Sequence, residues 1–250
     1  MAVTVAVVGA TGAVGREMLR TLEERRFPVG RLIALASPKS AGTKLTFAGR
    51  EIEVLPLEAS HFAGVRFALF SAGASVSREF GPIAAAAGAI VIDNSSAWRR
   101  DPECPLVVPE VNLEEAFHRP KGIIANPNCS TIQMVVALKP LHDAARLKHV
   151  IVSTYQATSG KGRAAVDELR AQAGAVLAGE APSSKVFPAP IAFNLLSDWP
   201  AGDQDYSEEE WKMVHETRKI LGDPSIGVSP TAVRVPVVNG HAESVHVQFH

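Results

Sequence analysis

The sequence predicts an α/β protein: a doubly wound parallel sheet over residues 1–128, followed by an α+β domain over residues 129–250. Three observations carry this. In the first half, short and almost wholly apolar runs alternate with helix-spaced segments, the pattern of parallel strands covered on both faces. The first of these runs leads into a glycine loop and then a helix. Near Asn128 the character changes, to alternating strands, an irregular proline-bearing stretch and a strongly charged helix.

Val3 to Val8 is apolar but for one threonine and reads as the buried first strand. After the loop Gly9–Gly15, Val14, Met18 and Leu22 recur at helical spacing, and Pro28 ends that helix. Arg31 to Ser37 reads as the second strand. Alternation between Lys44 and Leu57 predicts antiparallel edge strands. Val65–Phe70 and Ala89–Ile92 are further buried strands, with a helix over the alanine-rich Val76–Ala87 between them. Gly122 to Ala125 is strand-like. A Pro-Asn turn then leads to Cys129, which opens a helix with Ile132, Val135, Val136, Leu138 and Leu141 as its apolar residues.

In the second domain His149–Thr154 reads as a strand, Arg163–Ala178 as a helix and Ser183–Pro200 as irregular. Ser207–Leu221 is a helix whose Ser-Glu-Glu-Glu start suits a capping box and the helix dipole. Ala232–Val238 and Ser244–Phe249 alternate as strands, and Asn239-Gly240 between them is a hairpin signal. The chain stops at Phe249-His250 with no closing helix, and an unfinished sheet edge is an aggregation liability. It is therefore read as incomplete at its C-terminus.

Composition excludes several classes. A formal charge of −1 gives no broad attraction to nucleic acid or anionic lipid. No apolar run approaches the roughly 20 residues of a membrane span. The start MAVTVAVVGATG reads as a strand and not a secretory signal. Two cysteines, Cys104 and Cys129, make no disulfide framework and fit a reducing cytoplasm. No Cys/His cluster has metal-ligand spacing, so no metal is expected.

The loop GATGAVG sets Gly9, Gly12 and Gly15 at spacing G-x-x-G-x-x-G, with Ala10, Thr11, Ala13 and Val14 between them. Missing side chains let the backbone turn tightly and approach a pyrophosphate on the helix N-terminus, which makes the first domain Rossmann-type and nucleotide-binding. An NAD site would usually carry an acid at the end of the second strand. Here that strand runs into Ser37-Pro38-Lys39-Ser40-Ala41-Gly42, where one cation and two hydroxyls suit a 2′-phosphate, so NADP is expected. Ser71-Ala72-Gly73 ends a later strand, at the sheet edge where the cofactor should pass.

Cys129 sits at a helix start, where unpaired N–H groups and a partial positive charge favour a thiolate. The same N–H groups can hold an oxyanion formed when the thiolate attacks a carbonyl. A lone cysteine there is also compatible with plain burial. A nucleotide domain followed by a helix-capping cysteine suggests aldehyde or acyl-thioester chemistry.

At this point the chain resembles the aspartate-semialdehyde dehydrogenase family. GATGAVG, SAG, DNSSAWR, VPEVN, NPNCSTIQ, the Gln156 segment, EEWK…ETRKI and the pair Arg234 and His241 stand in the family's order. The family chain runs on for about another third of a domain. QATSGKG departs slightly from the commoner form of its loop. The resemblance implies reductive dephosphorylation of 4-phospho-L-aspartate to L-aspartate 4-semialdehyde with NADPH, on the route to lysine, threonine, methionine and diaminopimelate. It implies a catalytic set of Cys129 as nucleophile, His241 as general acid/base, Gln156 as holder of the intermediate, and Asn128. Arg99 and Lys212 would take the substrate phosphate, Arg234 its carboxylate and Glu209 its ammonium. Asn94, Ser159 and Gly160 would add cofactor contacts. The partners implied are a small-molecule substrate and phosphate, with a homodimer or homotetramer formed through the second domain.

Without the resemblance, each of these residues has a plainer reading. His241 is a surface hairpin histidine, Gln156 a strand-end polar residue, Glu209–Lys212 a helical salt bridge and Arg234 a solvent-facing strand residue. Trp98, Trp199 and Trp211 read as packing residues, Cys104 as a quiet loop thiol, and His246 and His250 as exposed strand positions. Competing functions are a reductase of another acyl phosphate, such as N-acetylglutamyl phosphate, or a catalytically impaired nucleotide-binding fragment or paralogue.

Overall fold

A computed structural model describes residues 2–203 and 206–250. The chain divides into two compact units, the first ending at Pro127 and the second spanning Asn128–His250.

The first unit contains, in chain order, β1 (Val3–Val8), α1 (Ala13–Glu24), β2 (Val29–Ala36), β3 (Lys44–Phe47), β4 (Arg50–Pro56), β5 (Phe67–Phe70), α2 (Ala74–Ala86), β6 (Ile90–Asp93), α3 (Pro109–Asn112) and β7 (Ile123–Ala125). They form a seven-stranded sheet ordered β3-β4-β2-β1-β5-β6-β7. Every neighbouring pair is parallel except β3–β4. The antiparallel pair expected between residues 44 and 57 is present, but β4 also pairs in parallel with β2. Only β3 is therefore an edge on that side.

Alternation along β1 explains why its run is apolar throughout. Val5 and Val7 pack into one core with Leu19, Ala34 and Val54. Ala6 and Val8 pack into another with Leu35, Phe70 and Val91. A strand buried on both faces has no position left for a polar side chain. The chain winds outward from β1 through β2 and β4, then returns to β5 and winds to β7. The reversal lies beside the carboxyl ends of β1 and β5, where open α/β sheets form a ligand crevice.

The second unit contains α4 (Cys129–Ala145), β8 (Leu147–Gln156), α5 (Arg163–Leu177), α6 (Glu208–Leu221), β9 (Gly227–Arg234) and β10 (Ala242–Phe249). Its three-stranded sheet is ordered β10-β8-β9. This corrects the expected hairpin: β9 and β10 do not pair, because β8 lies between them, parallel to β9 and antiparallel to β10. Gly240 does take a turn conformation, with φ of 88°. The surrounding segment, however, bonds to the chain around the end of β8: Val235 N donates to Gln156 O at 3.0 Å, Thr158 N to Val237 O at 2.9 Å and Ser159 N to Val238 O at 3.1 Å. The turn signal is local, and the longer connection is held by β8 and the loop after it.

On β8 the buried face runs Val150, Val152, Thr154, Gln156. Met134 and Leu138 of α4 and Met213 and Val214 of α6 cluster with Val150 and Val152. The period of two thus carries Gln156 onto the helix-covered face. Because β8 and β9 are parallel and β10 antiparallel to β8, the ends of the first two and the start of the third meet at one edge. That edge holds Gln156, Arg234 and, one residue before β10, His241.

Candidate active site

In the first unit the glycine loop is a cradle closed to side chains. Gly9 has φ of 85°, and a Cβ there would meet Ser71 O at 2.8 Å. A Cβ on Gly15 would come within 2.2 Å of Gly9 O. Gly12 N donates to Gly9 O at 3.0 Å, tightening the turn. Gly12 is the N-cap of α1, and no side chain caps that helix. Ala10, Thr11, Ala13 and Val14 complete this loop and first turn, whose amide end suits a phosphate. Ser71, Ala72 and Gly73 lead from β5 to α2, with Gly73 at φ of 91°. Ser37 and Lys39 are exposed and Ser40 half-buried, on a short 3₁₀ turn after β2. No acidic residue stands between Ser37 and Thr43. These residues fit a dinucleotide.

Arg99 and Asn94 also belong to this unit. The Arg99 guanidinium donates to Asn94 O at 3.0 Å, and Asn126 Nδ2 donates to Asn94 Oδ1 at 2.7 Å. The neighbouring Asp93 is fully buried and accepts from the Ser77 and Ser95 hydroxyls, each at 2.7 Å. That anchors the turn carrying Asn94.

In the second unit Cys129 is the first residue of α4 and is exposed. Asn128 caps the helix: its Oδ1 accepts from Ser130 N at 2.9 Å and Thr131 N at 3.2 Å. His241 brings Nε2 to 3.2 Å from Cys129 Sγ. Its Nδ1 accepts from Ala157 N at 3.0 Å. A neutral ring accepting at Nδ1 carries its hydrogen on Nε2, so that hydrogen faces the sulfur and stabilises a thiolate. Burial, and next the Arg234 guanidinium, hold the imidazole below the usual histidine range, against the opposing pull of Glu209. The ring is therefore neutral at physiological pH.

Arg234 ends β9 and is only 4% exposed, so the solvent-facing reading is corrected. Nε donates to Asp198 at 3.3 Å and Nη1 to Ala157 O at 3.1 Å. Its guanidinium lies 4.5 Å from the centre of the Trp199 ring, so Trp199 is a stacking partner and not packing alone. The Asp198 side chain is itself buried and also pairs with Lys161 at 2.6 Å. Gly160 lies against this group: a Cβ there would stand 3.3 Å from both Arg234 Nη1 and the His241 ring. Ser159 beside it donates to Asn239 Oδ1 at 2.9 Å.

Glu209 is the polar centre. Its Oε1 accepts from Asn128 Nδ2 at 2.8 Å and Gln156 Nε2 at 3.3 Å, and its Oε2 from Lys212 at 3.0 Å. Burial opposes its charge, but the Lys212 ammonium and these hydrogen bonds outweigh it and hold the carboxylate below its usual range. The Glu209–Lys212 pair is thus more than a surface bridge, since Glu209 is 4% exposed.

The fold therefore brings Asn128, Cys129, Gln156, Gly160, Glu209, Lys212, Arg234 and His241 into one connected group. Sequence reasoning gave no role to Asp198, Glu216 or the Ala157 amide. Asp198 and Trp199 lie in an irregular stretch with no periodic signal. Glu216 accepts from Asn128 N at 2.5 Å; it opens the segment ETRKI, which carries the family resemblance without giving this residue a role. Among the described residues, no group of three or more His, Cys, Asp or Glu could hold a metal, and no helix is long and apolar enough to cross a membrane.

Comparison with known proteins bears on both units. Residues 4–118 match the family described as semialdehyde dehydrogenase, NAD binding domain, and residues 138–250 match semialdehyde dehydrogenase, dimerisation domain. Aspartate-semialdehyde dehydrogenase of Aquifex aeolicus is 54% identical over 252 aligned residues, covering 99% of this chain and 74% of that protein. The Bacillus subtilis protein of that name is 52% identical, covering 98% and 73%. Among solved structures, aspartate semialdehyde dehydrogenase II of Vibrio cholerae superposes with a TM-score of 0.97 at 50% identity, covering 100% of this chain and 75% of that one. A complex of that enzyme with ASA matches equally well.

Proposed function

The chain belongs to the aspartate-semialdehyde dehydrogenase family, and we propose that it reduces 4-phospho-L-aspartate to L-aspartate 4-semialdehyde and phosphate through a thioester on Cys129. The observation that carries this is the His241 Nε2 at 3.2 Å from a sulfur on the first turn of a helix. The Cys129 thiolate attacks the acyl carbon, the carbon–oxygen bond to phosphate breaks, and a thioester remains. Splitting the reaction in this way is the benefit of covalent catalysis. NADPH, when bound, supplies the hydride that reduces the thioester. Cys129 then leaves as thiolate while the carbonyl reforms. His241 is the general acid/base: its Nε2 proton supports the thiolate both as it attacks and as it departs, and is available to an oxygen gaining negative charge. Because Asn128 Oδ1 already takes the Ser130 and Thr131 amides, the Gln156 side-chain amide is the group that holds that oxygen.

Substrate recognition divides by charge. Arg234 takes the carboxylate, Arg99 and Lys212 the phosphate, and Glu209 the ammonium. The glycine loop, Ser71–Gly73 and Asn94 would hold the dinucleotide, with further contacts from Ser159 and Gly160. Ser37, Lys39 and Ser40 would hold its 2′-phosphate, making NADP the cofactor. Lys39→Glu should therefore raise the Kd for NADP at least about tenfold while changing that for NAD far less. Equal effects on the two, read by fluorescence titration, would rule out this assignment. The same reading makes the protein a cytoplasmic homodimer, supported by the dimerisation-domain match and two cysteines that form no disulfide. The direct test is mass spectrometry after mixing with aspartyl phosphate and no reductant. An acyl adduct on Cys129 is expected; a modified chain in the Cys129→Ala variant, or none in the native one, would refute the mechanism.

A further inference from the structure

Asn128 has every polar group engaged. Its Oδ1 caps α4, its O accepts from Ile132 N at 2.9 Å, its Nδ2 donates to Glu209, and its backbone N donates to Glu216 Oε2 at 2.5 Å. In a capping box the third helical residue, a Glu or Gln, bonds back to the N-cap backbone N–H. Here that position is Thr131, and the first turn of α4 contains no acid. Glu216 supplies the missing acceptor from another helix.

Glu209 and Glu216 stand seven residues apart on α6, two turns along one face, and are 4% and 3% exposed. A buried carboxylate is costly to desolvate, so packing alone would be met better by an apolar side chain. Two such carboxylates grip the two donors of a single residue, and that residue precedes the sulfur. Fixing the backbone N–H and the side-chain amide together sets both the backbone and the rotamer of Asn128. It thereby sets where α4 starts and where the Cys129 Cβ points.

We propose that Glu216 is a positioning residue for Cys129, acting through the backbone of Asn128. The inference rests on the reading of Cys129 as nucleophile. Glu216 keeps an anion off the nucleophile's own first turn while meeting the need that turn creates. Its hydrogen bond to the Asn128 amide holds the geometry of that turn.

The test compares Glu216→Gln and Glu216→Leu with the native chain, by the pH dependence of iodoacetamide alkylation at Cys129, read by peptide mass spectrometry, and by kcat and KM with aspartyl phosphate. Gln retains a carbonyl acceptor, so its alkylation profile should match the native one, with kcat within about threefold of native. Leu loses the acceptor and should change the alkylation profile and lower kcat about tenfold or more with KM little changed, while near-UV circular dichroism stays native. A Gln variant with a changed alkylation profile, or with kcat lowered about tenfold, overturns the proposal, whether or not the Leu variant folds. So does a folded Leu variant with native kcat. If the native chain itself failed to turn over aspartyl phosphate, the substrate assignment would fall while the alkylation comparison still decided the role of Glu216.

Discussion

Gly160 shows how tightly the catalytic cluster is drawn. It has no special backbone angle to require glycine, yet its α-carbon faces Arg234 and His241 at a distance that leaves a methyl group in close contact with both. The His241 ring is already fixed on one side by the Ala157 amide and on the other by the sulfur. It can yield only by lengthening one of these bonds. Gly160→Ala should therefore lower kcat/KM by about tenfold, a loss of ~1.4 kcal/mol in transition-state stabilisation, with thermal stability within a degree or two of native. Steady-state kinetics beside a thermal melt checks this; unchanged kinetics would mean the cluster has slack that the distances deny. His241 itself was named from its place in a family order, not from chemistry, because a histidine after an Asn-Gly turn carries no signal of what its ring touches. Cys129 was legible from the residues themselves, since a thiol at a helix start has a physical consequence wherever it occurs.

At the scale of elements, the first unit was legible because its signals are local. Apolar runs of strand length, a glycine loop and helix-spaced residues determine a winding order with little else needed; the differences were at element ends, in β4 being internal, and in the short α3 (Pro109–Asn112), which no periodic signal announced. The three-stranded sheet was not legible, because pairing is a long-range property. Asn239-Gly240 announces a turn but says nothing of which strand fills the space beside it. The stretch Ser183–Pro200 was equally opaque, yet it delivers Asp198 and Trp199 to Arg234. Leu196 pairs with Arg234 through two backbone hydrogen bonds, so this irregular segment serves as a short partner for the end of β9. Asp198 then neutralises two cations at once, Arg234 and Lys161. Removing it leaves a buried guanidinium without its carboxylate. Asp198→Ala should destabilise the protein by roughly 3 kcal/mol and raise the substrate KM. Urea denaturation with parallel kinetics would show it, and a loss under about 0.5 kcal/mol would place Asp198 among surface pairs instead.

For the molecule as a whole, one group outside the cluster gives stability a pH dependence of unusual sign. Glu243 lies on β10 beside a cavity of about 390 Å³ lined by Met134, Leu138, Leu141, Val245 and Val247. Burial pushes its carboxyl up from 4.5 to about 6, and the hydrogen bond with Gln133 opposes this only in part. The folded protein thus binds this proton more tightly than the unfolded chain does. Its stabilising contribution is complete below about pH 4.5, where both states are protonated, and is lost as pH rises through about 6, where the fold must carry the charge. Glu209 and Asp223 work the other way, since their carboxylates are held below the usual range and favour the fold as they ionise. Glu243→Gln isolates the first effect by keeping the shape and removing the titration. Partial exposure screens the charge, so the gain should be near 1 kcal/mol, or about 2–4 °C in Tm, at pH above about 6.5. It should vanish below about pH 4.5. Melting curves across that range decide the matter: a gain that is constant with pH would mean that packing against the cavity wall, and not ionisation, sets what this residue contributes.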